Sequence, residues 1–362
     1  MNISSYNISD VSYHYIGLRV LAGLPPTARR EEQISSISRN VLRYVSDRSL
    51  RLMLPEPKGT FETVGEKICQ ELVHFQFARL VRGAYEITDA GHHALELLNG
   101  SRHVELRRLM ASVHLRTYDN LRVIVQKHLE VGSIWRPIVE SSQYASLDYV
   151  QRLLEPTFDG DAPSVAAVVL SGLQVKNPKK VEDALHERIL RRVLPEMRIG
   201  VPLFRAICDR LVSLRLLNIM KASIQESEFA KSYSPCVAGA PPHDWYTPLK
   251  IEPPSGETFV LYFCEPDMSD EDTQRSFLQT LDAAFSELSS QAGYYDLPEV
   301  RDFVCERLRI PEAAFDEGVN YLLDRQSSPL TVGLHYEGIS SRRKPLTRNR
   351  APVQIYNLIR RV

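Results

Sequence analysis

The chemistry most plainly written into this chain is cationic. Residues 321–362 hold eight basic side chains, Arg325, Arg342, Arg343, Lys344, Arg348, Arg350, Arg360 and Arg361, against two acids, Asp324 and Glu337. That is a local charge of +6 in a protein of net charge −1, so the other residues together carry −7. A planar guanidinium donates two parallel hydrogen bonds to phosphate oxygens, and a cluster of such groups displaces condensed counterions from a polyanion. Arg342, Arg343, Lys344, Arg348, Arg350 and Arg325 are therefore the candidate DNA-contacting residues. A solvated loop, or a loop docked on an acidic protein, accounts for the same charges.

No comparable set points to catalysis. Gly59-Thr60-Phe61-Glu62-Thr63-Val64-Gly65-Glu66-Lys67 resembles a phosphate loop superficially, but it is one residue too long and places an acid where lysine belongs. Glu56-Pro57-Lys58 downstream of Asp47 has the acid-x-Lys form of metal-dependent nucleases, yet Pro55 and Pro57 argue against the strand that chemistry requires. The acids Glu265, Asp267, Asp270, Glu271 and Asp272 read as the opening of a helix capped by Ser269, where negative charge meets the positive end of the helix dipole. His92-His93 lacks a second ligand pair at metal spacing. The five cysteines, Cys69, Cys208, Cys236, Cys264 and Cys305, are far apart and odd in number, which fits neither a zinc site nor a disulfide framework. The expectation is a non-enzyme without cofactor or metal.

Composition narrows the class further. Apolar residues make up 43% and charged residues 25% of the 362 positions, as in ordinary globular domains. No apolar run reaches the roughly 18–20 residues that cross a bilayer, and Met1 to Tyr15 has no signal-peptide pattern. A cytosolic protein that does not meet a membrane is expected.

The elements that must position the basic residues are mostly helices. Apolar spacing of three and four predicts helices over 31–52, 104–131, 181–194, 203–217, 272–290 and 297–309, with strands at Thr258 to Cys264, Leu330 to Tyr336 and Val353 to Ile359. Six prolines between Pro235 and Pro254 mark a connection that is neither helix nor central strand. A weaker break falls at Pro156 to Pro163.

One stretch carries a resemblance. In Leu80-Val81-Arg82-Gly83-Ala84-Tyr85-Glu86-Ile87-Thr88-Asp89-Ala90-Gly91, a strand bearing an aromatic leads into a Thr-Asp-x-Gly turn that opens a helix. Thr88 or Asp89 can cap that helix, and Gly91 permits close approach at the corner. Residues 31–98 resemble the winged helix-turn-helix superfamily. Residues 297–359 have the same order of parts: a helix capped by Asp296, a turn, a second helix opening at Pro311 with Phe315, Val319, Leu322 and Leu323 on its buried face, and then two strands joined through 337–350. Residues 181–233 follow the plan more loosely. The resemblance implies a mainly α fold with small β-hairpin wings, built as tandem winged helix-turn-helix units joined by a helical spacer. The corresponding divisions are 1–100, a spacer at 101–160, 161–234, a proline-rich linker at 235–256, and 257–362 with its basic wing. In such folds the wing reaches phosphates or the minor groove.

Two features complicate the assignment. The presumed recognition helices are acidic, with Glu312, Asp316, Glu317 and Asp324 outward in the last copy and Glu62, Glu66 and Glu71 offsetting Lys67 in the first. The middle copy exposes a mixed set, Arg205, Asp209, Arg210, Ser213 and Arg215. Residues 101–130 add a net +3 from Arg102, Arg107, Arg108, Arg116, Arg122 and Lys127, and Lys176, Lys179, Lys180, Arg191 and Arg192 form another basic run; both read as solvated helix faces. The expected function is non-enzymatic association with double-stranded DNA, as a transcription regulator or a DNA-engaging subunit of a larger bacterial complex. Protein partners or a homodimer fit beside it. The alternative is a scaffold whose winged helices bind proteins and never meet nucleic acid.

Overall fold

A computed structural model describes residues 8, 10–51, 63–136, 146–171, 178–225, 228–241, 245–254, 256–264, 266–290, 293–325, 329–333, 346–348, 354–356 and 358–361. The protein is mainly helical with small antiparallel sheets. Its helices are α1 (Ser12–Gly23), α2 (Arg30–Arg51), α3 (Val64–His74), α4 (Asp89–Asn99), α5 (His103–Thr117), α6 (Asp119–Val131), α7 (Leu147–Phe158), α8 (Ala162–Ser171), α9 (Pro178–Val193), α10 (Val201–Ser213), α11 (Glu271–Glu287), α12 (Leu297–Leu308) and α13 (Glu312–Leu323). Its strands are β1 (Ala78–Val81), β2 (Ala84–Ile87), β3 (Ile134–Arg136), β4 (Leu217–Gln225), β5 (Glu228–Pro235), β6 (Val237–Ala238), β7 (Tyr246–Ile251), β8 (Phe259–Cys264), β9 (Tyr295–Asp296), β10 (Leu330–Gly333), β11 (Leu346–Arg348), β12 (Gln354–Tyr356) and β13 (Leu358–Arg361). Among the described residues no helix is long and apolar enough to cross a membrane.

The chain divides into two compact units: 1–123 with 205–214 and 249–260, and 124–204 with 215–248 and 261–362. Both are assembled from separated stretches, unlike the sequential divisions expected above. The single helix expected over 104–131 is two, α5 and α6, broken at Tyr118, whose backbone is extended.

In the first unit α1 packs on α2, α3 and α4, burying Leu18, Ile37, Val41, Ile68 and Leu72. Between β1 and β2 the loop is only Arg82-Gly83, at φ 50° and 83°. Two left-handed residues make the hairpin turn that matches strand twist, and glycine takes the second position without strain. Gln33 of α2 clamps this hairpin: its amide accepts from Tyr85 N and donates to Tyr85 O, both at 2.9 Å. Thr88 caps α4 by accepting from Gly91 N at 3.2 Å. At Gly91 a Cβ would lie 2.1 Å from the Phe77 carbonyl oxygen, so no larger residue fits that corner.

The second unit holds two three-stranded sheets with one plan, ordered β3-β5-β4 and β10-β13-β9. In each, a short strand precedes a pair of helices, a hairpin follows, and the returning hairpin strand lies in the middle. Between β3 and α9 the chain inserts α7 and α8; α10, which follows α9, lies mostly in the first unit through 205–213. A core around Phe277, Leu281, Val300, Val304, Phe315, Val319, Leu322 and Ile359 binds α11, α12, α13 and the last sheet together.

Several local expectations change. Asp270, not Ser269, caps α11, accepting from Thr273 N at 2.8 Å, while Ser269 donates to Asp267. Asp296 stands at the N-cap of α12 but makes no side-chain cap bond. The proline-rich 235–256 stretch contains β6 and β7, which take the two outer positions of their sheet, where a residue without an amide proton is tolerated.

Candidate nucleic-acid interface

The basic C-terminal segment is anchored at both ends in the last sheet. Leu330 pairs with Arg361, Thr331 with Arg360, Val332 with Ile359 and Gly333 with Leu358. The expected return strand, 354–359, is thereby divided: 358–361 pairs with β10, whereas Gln354, Ile355 and Tyr356 pair with Arg348, Thr347 and Leu346 in a second ladder. Residues 334–357, between the paired ends, contain Arg342, Arg343, Lys344, Arg348 and Arg350 against one acid, Glu337.

Of the six predicted contact residues, Arg342, Arg343, Lys344 and Arg350 lie outside the described residues. Arg348 is placed by its backbone in β11, opposite Gln354. Arg325 follows α13, is exposed, and donates through Nη1 to Gln274 Oε1 at 2.6 Å. The remaining basic residues of the C-terminus turn to the protein: Arg361 pairs with Asp282, and Arg360 stacks over the Tyr294 ring at 4.8 Å.

Helix α13 carries three acids and no base, but its acids are not all outward. Asp316 meets the buried Arg301 at 2.8 Å, and Glu317 pairs with Arg215 at 2.9 Å. In this helix the expectation of a four-acid outward face changes at one position: Asp316 is half-buried and serves as the counter-ion of buried Arg301. Its N-terminal end is closed. Pro311 sits at the N-cap and cannot offer a side-chain acceptor. Asn218 of β4 supplies one instead, accepting from Glu312 N at 3.0 Å and donating to Ile310 O at 2.8 Å. Tyr246 donates to Leu308 O at 2.9 Å, satisfying a carbonyl at the end of α12. Asn218, Tyr246, Ile310 and Pro311 are all buried.

The other presumed recognition helices also differ from expectation. On α3, Glu71 is buried and Glu66 pairs with Arg30 at 2.8 Å, leaving Lys67, Gln70 and His74 at or near the surface. On α10, Arg210 is 1% exposed, and Ser213 Oγ accepts from Val11 N at 2.7 Å. Arg122, expected on a solvated face, is buried and donates to Leu115 O at 2.8 Å and to Arg116 O at 3.1 Å.

Sequence reasoning missed the polar cluster inside the first unit. Arg210 Nη1 donates to both Glu71 carboxylate oxygens, at 3.0 and 3.1 Å, and Arg210 Nε donates to Ile8 O at 2.7 Å. His14 Nε2 lies 2.6 Å from Glu71 Oε2, and the His114 and Phe75 rings meet beside it at a tilt of 44°, with centroids 4.4 Å apart. Burial alone raises the Glu71 pKa, but the Arg210 charge and the His14 hydrogen bond reverse that and hold it at about 2. His114 is driven well below its ordinary value by burial and by the neighbouring His14 and Arg210 charges. The cluster is sealed from solvent and ties α1, α3 and α10 together; its geometry is that of a structural ion pair.

Among the described residues no group of histidines, cysteines and acids could hold a metal ion. The chain matches no family model, no curated protein and no solved structure.

Proposed function

We propose that this protein binds double-stranded DNA without acting on it chemically, through the basic segment between β10 and β13. The observation that carries the reading is the pairing of Gly333 with Leu358, because the sequence between these two residues holds five cations and one acid. The element order α11, β9, α12, α13, β10, β13, with β13 central in its sheet, supports a winged-helix likeness for this part, and the matching β3-β5-β4 sheet supports a tandem arrangement. A DNA-engaging subunit of a larger assembly, or a transcription regulator, suits such a layout.

The scaffold alternative draws on one observation, the absence of any base on α13. Titration of a labelled duplex across salt concentrations separates the two. Each neutralised phosphate contributes about 0.9 to the slope of log affinity against log salt, so Arg342→Ala/Arg343→Ala/Lys344→Ala lowers the slope by about 2.7 if all three engage phosphates. Absent binding, or binding indifferent to the triple change, supports the scaffold.

A further inference from the structure

The end of a helix-turn-helix that ordinarily enters the major groove is the N-terminus of its second helix, where side chains meet base edges. In the C-terminal part of this protein that end is already engaged from within. Asn218 accepts from the first amide of α13 and donates to the carbonyl of Ile310, two residues before it. Tyr246 closes the facing end of α12 through Leu308 O at 2.9 Å and Arg309 O at 3.3 Å. Ile310 is fully buried, Asn218 is 4% exposed and Tyr246 5%. The turn is therefore packed against β4 and β7 through Asn218 and Tyr246, with both helix ends capped by residues distant in sequence. A groove could reach the first turn of α13 only after these bonds broke and one amide and three carbonyls lost their partners.

Further along α13 the chemistry is equally unsuited to reading bases. Its exposed positions are Glu317, already paired with Arg215, and Tyr321. The helix has no arginine, lysine or histidine, and its only amide side chain is Asn320. Bidentate contacts to guanine come from Arg or Lys.

We infer that the second unit holds duplex DNA through its phosphates alone, without preference for base sequence, because the first turn of α13 is closed by Asn218 and its outer face carries no base. This rests on the binding proposed above. It assigns the substrate class as duplex of any sequence, recognised by backbone charge and shape.

The test uses the full chain with Lys67→Ala, Gln70→Ala and His74→Ala, surface changes that strip α3 of side chains able to read bases. A random duplex library is passed over this protein, retained molecules are sequenced, and Tyr321→Ala is added in a parallel arm. The expected result is retention that falls steeply with salt, no enriched motif, and less than a twofold affinity change on Tyr321→Ala. An enriched motif, or a loss of about fivefold or more on Tyr321→Ala as a base-contacting residue would give, overturns the inference and leaves duplex binding standing. No retention of any duplex overturns the inference and the binding proposal together.

Discussion

Replacing Arg210 with alanine removes the one guanidinium that, among the described residues, meets the Glu71 carboxylate. Arg210 spends two bonds on Glu71 and its Nε on the Ile8 carbonyl, and the site is closed to water, with Arg210 at 1% exposure and Glu71 at 7%. Breaking a buried pair from one side costs about 3–5 kcal/mol, because the surviving charge stays in the interior. The depressed Glu71 pKa expresses the same pairing as a proton equilibrium and points the same way. Its pKa of about 2 against an ordinary 4.5 corresponds to about 3 kcal/mol of stability in the wild type. A depressed carboxyl pKa contributes stability that is present above 4.5 and is lost as pH falls toward 2. In the variant the sign reverses: with Arg210 gone, burial raises the carboxyl, the folded chain holds a proton the unfolded chain has released, and stability falls as pH rises. The gap between wild type and Arg210→Ala is thus wider at pH 8 than at pH 5. Urea unfolding followed by circular dichroism at both values, with hydrogen exchange of α3 amides to assign the loss to the first unit, measures it. A second variant, Arg210→Met/Glu71→Leu, removes both charges and recovers most of the loss. A loss below about 1 kcal/mol, or a gap equal at pH 5 and pH 8, refutes the buried ion pair as the fastening of this unit.

Three further outcomes follow from the same structure. Thr88→Ala deletes the cap of α4 and costs about 1 kcal/mol, while Gly91→Ala drives a methyl to 2.1 Å from the Phe77 carbonyl and costs about 3 kcal/mol or more; thermal melts of both show the larger shift for the glycine. Asn218→Ala leaves Glu312 N and Ile310 O without their side-chain partner and costs about 2 kcal/mol, with Asn218→Asp recovering part because it keeps the acceptor; amide exchange at Glu312 reports this directly. His128, whose pKa is lowered to about 4 by burial, stays neutral in the folded chain while the unfolded chain protonates near 6.5, so stability falls as pH drops from 6.5 to 4; His128→Leu flattens that part of the profile by about 3 kcal/mol.

The helices were legible where apolar spacing was regular. The starts and ends of α2, α9, α11 and α12 fall within three residues of the expected ones, since their apolar faces are interrupted by exposed charges. α5 and α6 merged in the sequence because the apolar rhythm continues past Tyr118, where only the backbone turns. The last hairpin was visible as two alternating runs, but alternation does not fix which residue opposes which; the structure sets Leu358 opposite Gly333. The buried cluster was missed because charge was read as exposure. A signal was present: Glu71 lies three positions after Ile68 and one before Leu72, and Arg210 three after Ile207 and one before Leu211. Both stand on the apolar face of their helix. A charge in that position needs a partner of opposite sign, although nothing local shows that two residues 139 positions apart supply one another.

The three hairpins also show why architecture alone does not assign a function. Residues 78–87, through β1 and β2, carry Arg79 and Arg82 against Glu86, and residues 217–235, through β4 and β5, carry Lys221 and Lys231 against Glu226 and Glu228, charges of +1 and zero. Residues 334–357 carry +4. Counterion release scales with the number of phosphates neutralised, so on the proposed DNA binding these hairpins would contribute very unequally. Helices following the same order diverge as well: α10 turns Arg210 and Ser213 inward, α13 is capped by Asn218, and α3 leaves Lys67, Gln70 and His74 at or near the surface. Packing has taken up two of the three second helices, and charge has separated one of the three hairpins. Binding measured on single hairpin deletions therefore ranks 334–357 first by a wide margin, a ranking that follows from side-chain charge and would not follow from topology.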